Sequence, residues 1–172
     1  CLMVLLGPTD IISSLKSDEN KTKSNRLCFE SERLSLQKQA QETINSLKKA
    51  VELNPDNSTA LCLLGGVLNE QSNPDCVSYY EKSLEKNKNC YLAYRGLGNF
   101  YLKNQQFDKS EKNYTRAIEI NDNRFGPIYK NRGYVRQQQN KMNEAKKDYQ
   151  SYIKFTPNAK DRGMIERALN EM

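Results

Sequence analysis

Arg95 and Asn99 stand four residues apart, and so do Lys130 and Tyr134. On a helix that spacing puts both members of a pair on one face. A guanidinium or ammonium group captures carboxylates, and a side-chain amide pairs with a peptide backbone. The chemistry on offer is therefore binding. Catalysis has little to work with. The chain has no His, which removes the commonest general base and the commonest metal ligand. Its five Cys (1, 28, 62, 76 and 90) form no C-x-x-C pair, so zinc is not expected, and Cys62 and Cys76 fall where Cys acts as a small apolar residue. No glycine-rich loop is present to cradle a phosphate. The expectation is a non-enzyme with no catalytic residue, no metal and no cofactor.

The elements that position these residues follow from a repeat of about 34 residues. Gly65, Gly98 and Gly133 are 33 and 35 positions apart. A small residue followed four later by Tyr recurs as Cys76/Tyr80, Ser110/Tyr114 and Ala145/Tyr149, with Ser83, Ala117 and Tyr152 three further on. Such a period means stacked supersecondary units. Each unit reads as a first helix of roughly 13 residues carrying the Gly, a short polar turn, and a second helix carrying the small-x-x-x-Tyr pattern. Two antiparallel helices approach closely only where side chains are small, so Gly98 is expected to face Ser110 and Ala117, with Tyr94, Leu97, Tyr101 and Tyr114 around them.

These patterns divide 172 residues into a lead-in over 1–24 and a repeat domain over 25–172. The lead-in holds CLMVLLG, far too short to span a membrane. It reads as the stump of a removed segment or of a longer chain, or as a shallow membrane contact through residues 1–7. Thr9 or Asp10 could cap a short helix through Leu15, and residues 17–25 (SDENKTKSN) read as a linker. A degenerate unit fills 25–57, as one long helix or two with an eroded turn. Asn54-Pro55 stops it, because Pro disfavours helical geometry in the residue before it. Whole units cover 58–90, 91–124 and 125–159. A closing helix covers 160–172, with Met164, Ile165, Ala168, Leu169 and Met172 inward and Asp161, Glu166, Arg167 and Asn170 toward water.

The chain resembles the tetratricopeptide repeat family. Its pattern W-x2-L-G-x2-Y…A-x3-F is matched by Tyr94-x2-Leu97-Gly98-x2-Tyr101…Ser110-x3-Tyr114, with Ala117 behind. The neighbouring units read Leu61-x2-Leu64-Gly65-x2-Leu68…Cys76-x3-Tyr80 and Tyr129-x2-Arg132-Gly133-x2-Arg136…Ala145-x3-Tyr149, the last ending at Pro157. Lys88 and Asp122 replace the terminal Pro. The resemblance implies an all-α, right-handed superhelical solenoid of antiparallel helix pairs. It also implies a concave groove, lined by the first helices, that receives a peptide or partner helix. By register the lining is Thr59, Cys62, Gly66, Asn69 and Glu70 in the first whole unit. It is Arg95, Asn99, Leu102 and Lys103 in the second, and Lys130, Asn131, Tyr134 and Gln138 in the third. A variant of the family has Asn-Arg-Gly with Asp-Tyr, which Asn131-Arg132-Gly133 and Asp148-Tyr149 reproduce, implying an Arg132–Asp148 ion pair. Arg136 is expected to reach Glu166. Some members hold acidic chain termini in a two-carboxylate clamp. Arg95, Asn99 and Asn131 match its first three positions, whereas its basic third element would fall at Asp161 and Ile165.

The reading is a non-catalytic protein–protein interaction module, an adaptor or scaffold. The alternative is a structural subunit of a large, organellar or membrane-associated assembly. The net charge of +6 suits a solvated helical surface or an acidic protein partner. It also permits RNA, but single-strand readers present stacking side chains in every repeat, and here Tyr134 stands alone. DNA is not expected. The unpaired Cys pattern points to a reducing intracellular compartment, the cytoplasm or an organelle interior such as the mitochondrial matrix.

Overall fold

The computed structural model describes residues 18–28, 30, 40–121 and 126–172, all helices and short turns, with no strand among them. A helix (α1) covers residues 18–28. After it come α2 (Ala40–Leu53), α3 (Ser58–Glu70), α4 (Cys76–Lys86), α5 (Tyr91–Lys103), α6 (Phe107–Ile120), α7 (Gly126–Gln138), α8 (Met142–Phe155) and α9 (Arg162–Glu171). The helix pairs α3/α4, α5/α6 and α7/α8 are the three whole repeats read from the sequence, and each first helix is 13 residues long. The chain divides into two compact units, Cys1–Lys86 and Asn87–Met172.

In the first unit, α3 packs between α2 and α4. Ile44, Leu47, Ala50, Ala60, Leu61, Leu64, Val67, Leu68, Cys76 and Tyr80 are buried. Asn57 caps α3 by accepting from the Ala60 amide at 3.0 Å. Its own Nδ2 donates to Ser24 Oγ at 2.8 Å, and Ser24 in turn donates to the Ala50 carbonyl at 2.8 Å. This chain of bonds corrects the linker expectation over residues 18–25. Polar composition suggested a loop, but a small buried serine satisfied by α2 lets that stretch pack as helix α1. Tertiary burial overrides weak local propensity. The proposed helix through Leu15, residues 1–7 and the segment 31–39 lie outside the described residues.

The turn inside each repeat has one geometry. Ser72, Gln105 and Asn140 adopt left-handed φ of 57°, 55° and 59°. The next amide bonds five residues back in each case: Asn73 to Leu68 at 2.9 Å, Gln106 to Tyr101 at 2.9 Å and Lys141 to Arg136 at 2.8 Å. This is a Schellman ending, which satisfies carbonyls the helix leaves open. Between repeats, the Asn54 side chain accepts from the Asp56 amide at 3.2 Å, and Asn87 accepts from Asn89 at 3.0 Å. The Asx turn recurs with Lys88 in the place of Pro55, so the asparagine holds this turn and the proline is dispensable.

In the second unit α6 packs against α5 and α7, α8 against α7, and α9 against α8. Tyr114, Ala117, Ile118, Ile128, Tyr129, Val135, Ala145, Tyr149, Tyr152 and Ile165 form one buried cluster. A Cβ on Gly98 would lie 2.6 Å from the Tyr114 ring, and one on Gly133 3.0 Å from the Tyr149 ring. The glycine thus faces the tyrosine ring itself. Ser110 contributes a bond from Oγ to the Gly98 carbonyl at 2.8 Å. Tyr94 and Tyr101 are only partly buried.

Two expectations for the closing helix change. Ile165 is buried but Met164 is 59% exposed. Asp161, placed toward water by the sequence, turns back to α7 and α8.

Candidate functional site

The first helices α5 and α7 carry eight of the thirteen residues expected to line the groove, and α3 carries the other five. The unit brings two of them into direct contact. Asn131 Nδ2 on α7 donates to Asn99 Oδ1 on α5 at 3.2 Å. Beneath them lies a residue that the sequence reading used only as packing. Tyr114 on α6 passes its ring under Gly98 and donates its hydroxyl to Asn99 Oδ1 at 2.6 Å, and Asn131 Nδ2 also reaches that hydroxyl at 3.4 Å. Burial pushes the Tyr114 phenol up to about 12, against smaller opposing effects that include the Asn131 hydrogen bond. The Asn99–Tyr114–Asn131 triangle ties three helices together at the surface. The signal that could have found it is the Tyr at a position where the family pattern has Phe.

Lys130 is not left facing outward. Its Nζ lies 2.8 Å from Asp161 Oδ2 and 5.3 Å from the centre of the Tyr152 ring, while the Tyr152 hydroxyl donates to the other Asp161 oxygen. The Lys130 hydrogen bond, then that of Tyr152, holds the Asp161 carboxyl below its ordinary value. Burial, followed by the Asp161 hydrogen bond and charge, pushes Tyr152 up to about 12. Asp161 was read as a gap in the clamp, and the structure gives it a positive role in closing the stack. Of the clamp's third element, one position is thus an ion-paired carboxylate and the other, Ile165, is buried.

The remaining candidates are spread along the same helices. Lys103 and Gln138 are exposed, Arg95 is half-buried, and Tyr134 is 47% exposed, one of few large apolar side chains at the described surface. In the first unit Thr59 and Glu70 are exposed, whereas Cys62 and Asn69 are buried. Register alone put Cys62 and Asn69 on an open lining, and their burial corrects that.

A second polar cluster faces α6 and α8. Arg132 holds Asp148 with two bonds, Nη2 to Oδ1 at 2.6 Å and Nε to Oδ2 at 2.9 Å, as the family variant implied. Arg136 does not reach Glu166. It donates to Glu111 at 2.8 Å and to Asp148 at 2.9 Å, because its face of α7 looks onto α6 and α8, and Glu166 is engaged by Arg162 within α9 at 2.8 Å. Burial raises the Glu111 carboxyl, but hydrogen bonds from Lys141 and Arg136 and their charges outweigh it, leaving it below its ordinary value. These charged groups are all paired with one another, which suits a structural seam between repeats. Among the described residues no set of three Cys, Asp or Glu is arranged to hold a metal, and no helix is long and apolar enough to cross a membrane.

Comparison with known proteins agrees with the helix pairs. A tetratricopeptide repeat profile matches residues 93–124, which begin in α5 and run past the end of α6. The pilF protein of Pseudomonas aeruginosa has a similar structure, with a TM-score of 0.78 at 17% identity over 90% of this chain and 69% of that one. Residues 93–124 therefore carry a tetratricopeptide repeat. MamA of Desulfovibrio magneticus RS-1 shares the tetratricopeptide-like fold at a TM-score of 0.71 and 16% identity, over 87% of this chain and 86% of that one. Anaphase-promoting complex subunit 3 of Schizosaccharomyces pombe is 31% identical over 98 residues, 56% of this chain. This chain spans only 15% of that relative's length. Repeats of this kind support a protein-interaction scaffold in general.

Proposed function

We propose that the Asn87–Met172 unit binds an extended peptide segment of a partner protein across the face lined by α5 and α7, without catalysing a reaction. The observation that carries this reading is the Asn99–Asn131 contact. Two side-chain amides from successive first helices meet at 3.2 Å on one face, and amides are the groups that pair with an extended backbone. Arg95 and Lys103 add positive charge on α5, and Tyr134 adds an apolar surface on α7. An acidic partner is compatible with this charge, but the Asp161 carboxylate beside Lys130 disfavours a terminal carboxylate there.

The likeness to a protein named as a subunit of a complex favours a partner held permanently in an assembly over one captured transiently. The buried thiols Cys28, Cys62 and Cys76 serve as small core residues, which suits a reducing compartment.

The test is affinity purification from the native source with the wild-type chain and with Arg95, Asn99 and Asn131 together changed to Ala. Loss of the stoichiometric partner with an unchanged helical melting curve is the expected result. Retention of every partner by the triple variant would move binding to another face.

A further inference from the structure

We infer that Tyr114 is a positioning residue for peptide recognition: its hydroxyl sets which atoms of Asn99 and Asn131 face the ligand. This rests on the α5/α7 face being the peptide site.

Packing alone does not explain the hydroxyl. The Tyr114 ring lies under Gly98, within 2.6 Å of where a Cβ would sit, and a phenylalanine ring would fill the same space. The side chain is fully buried, where a hydroxyl is tolerated only with a partner. That partner is on the open face: Asn99 Oδ1, at 2.6 Å.

The bond has a consequence for polarity. An amide oxygen has two lone pairs. On Asn99 one is taken by Tyr114 and the other by Asn131 Nδ2 at 3.2 Å. Because Tyr114 donates, Asn99 must present oxygen inward and its NH2 donors outward. Because Asn131 gives its NH2 to Asn99 Oδ1 and to the Tyr114 oxygen, its Oδ1 acceptor turns outward. The face then offers one donor from α5 and one acceptor from α7, the complement of the C=O and N–H of an extended peptide. Without the hydroxyl each amide can rotate by half a turn, and the outward polarity is no longer unique. In the next repeat the Tyr149 ring also packs where a Gly133 Cβ would be, at 3.0 Å, but its hydroxyl donates to Gln137 Oε1 at 2.9 Å, further along the first helix than the Asn99 position, which Tyr134 fills.

The probe is a 12-residue peptide selected on the full chain from a random phage-displayed library and then synthesised. Its Kd is measured by calorimetry for wild type, Asn99→Ala, Asn131→Ala, Tyr114→Phe and Asn99→Asp. Side-chain amide NMR signals of Asn99 and Asn131 and melting curves are recorded alongside. The expected result is weaker binding by both alanine variants and about 3- to 10-fold weaker binding by Tyr114→Phe, the size of one hydrogen bond. The two amide signals of Tyr114→Phe should shift, a change that lost packing alone would not produce. Asn99→Asp keeps both inward lone pairs but removes the outward donor. It should bind at least as poorly as Asn99→Ala, and it decides the matter if Tyr114→Phe does not fold. Unchanged Kd in both alanine variants, or no selected peptide, overturns the face as the peptide site. Weakened alanine variants with Tyr114→Phe within twofold of wild type, or an Asn99→Asp variant that binds like wild type, overturn the positioning role alone.

Discussion

Arg132 and Asp148 meet in a two-point contact at 2.6 and 2.9 Å, with the carboxylate side chain 3% exposed and the guanidinium 11%. Asp148 also receives Arg136 at 2.9 Å, so one buried carboxylate is shared by two guanidinium groups.

Replacing Asp148 by Asn leaves the Arg132 guanidinium without a carboxylate in a desolvated seam, while Arg136 keeps Glu111. Breaking one side of a buried pair costs about 3–5 kcal/mol, so chemical denaturation of Asp148→Asn should show a loss of that order. By contrast, Arg116→Ala removes an exposed pair with Glu119 (side chains 47% and 55% exposed) and should leave stability almost unchanged. Equal losses in the two variants would show that burial does not govern the seam.

Gly98→Leu tests the helix crossing. Its Cβ alone would fall 2.6 Å from the Tyr114 ring, which α7 and α8 cannot release without opening the buried cluster. Overpacking of a close-packed core costs about 1–3 kcal/mol for modest additions, and a full leucine exceeds a modest addition. The expected outcome is a marked drop in melting temperature with loss of the α5/α6 pair by hydrogen exchange. An unchanged melting temperature would refute the packing.

Gln105→Gly should stabilise. Gln105 sits at φ 55° with its amide bonded to the Leu102 carbonyl at 3.0 Å, a backbone state that costs a side chain about 1–2 kcal/mol. The greater freedom of glycine in the unfolded chain offsets part of this, leaving a gain of about 0.5–1 kcal/mol in the same denaturation assay. Gln106→Gly, at φ −88°, lacks the relief and should destabilise.

Asp161→Asn should loosen α9. The carboxylate bonds both Lys130 and Tyr152, and its folded-state value is lowered. A depressed carboxyl contributes stability at neutral pH, present above its unfolded value of 3.8 and lost as pH falls through the lower folded value. Wild type should therefore shed protection of the α9 amides below about pH 4, measured by hydrogen exchange. The Asn variant should show weak α9 protection at neutral pH and little further acid dependence of it.

The repeat architecture was legible because its signals are local and periodic. Gly98 and Ser110 twelve positions on, or Gly133 and Ala145, mark a helix crossing at fixed spacing, and the recurring polar turns mark where each pair reverses. The Arg132–Asp148 bond was legible for the same reason, since both residues belong to one helix pair. The Asn99–Tyr114–Asn131 triangle was half legible. Register placed both amides on the lining, but the tyrosine hydroxyl runs through the core, and nothing in residue type tells which end of a buried tyrosine meets the surface.

By itself the amino-acid order determined the helix pairs α3/α4, α5/α6 and α7/α8, because each depends on contacts within about one repeat length. Tertiary structure decided where the long and polar side chains end: Arg136 on Glu111 and Asp148 instead of Glu166, Lys130 on Asp161, Ser24 on Ala50, and Met164 in solvent. A flexible side chain can reach several carboxylates or carbonyls that sequence does not rank. The choice among them falls to whichever partner the packed neighbouring helix holds within hydrogen-bond distance and away from water.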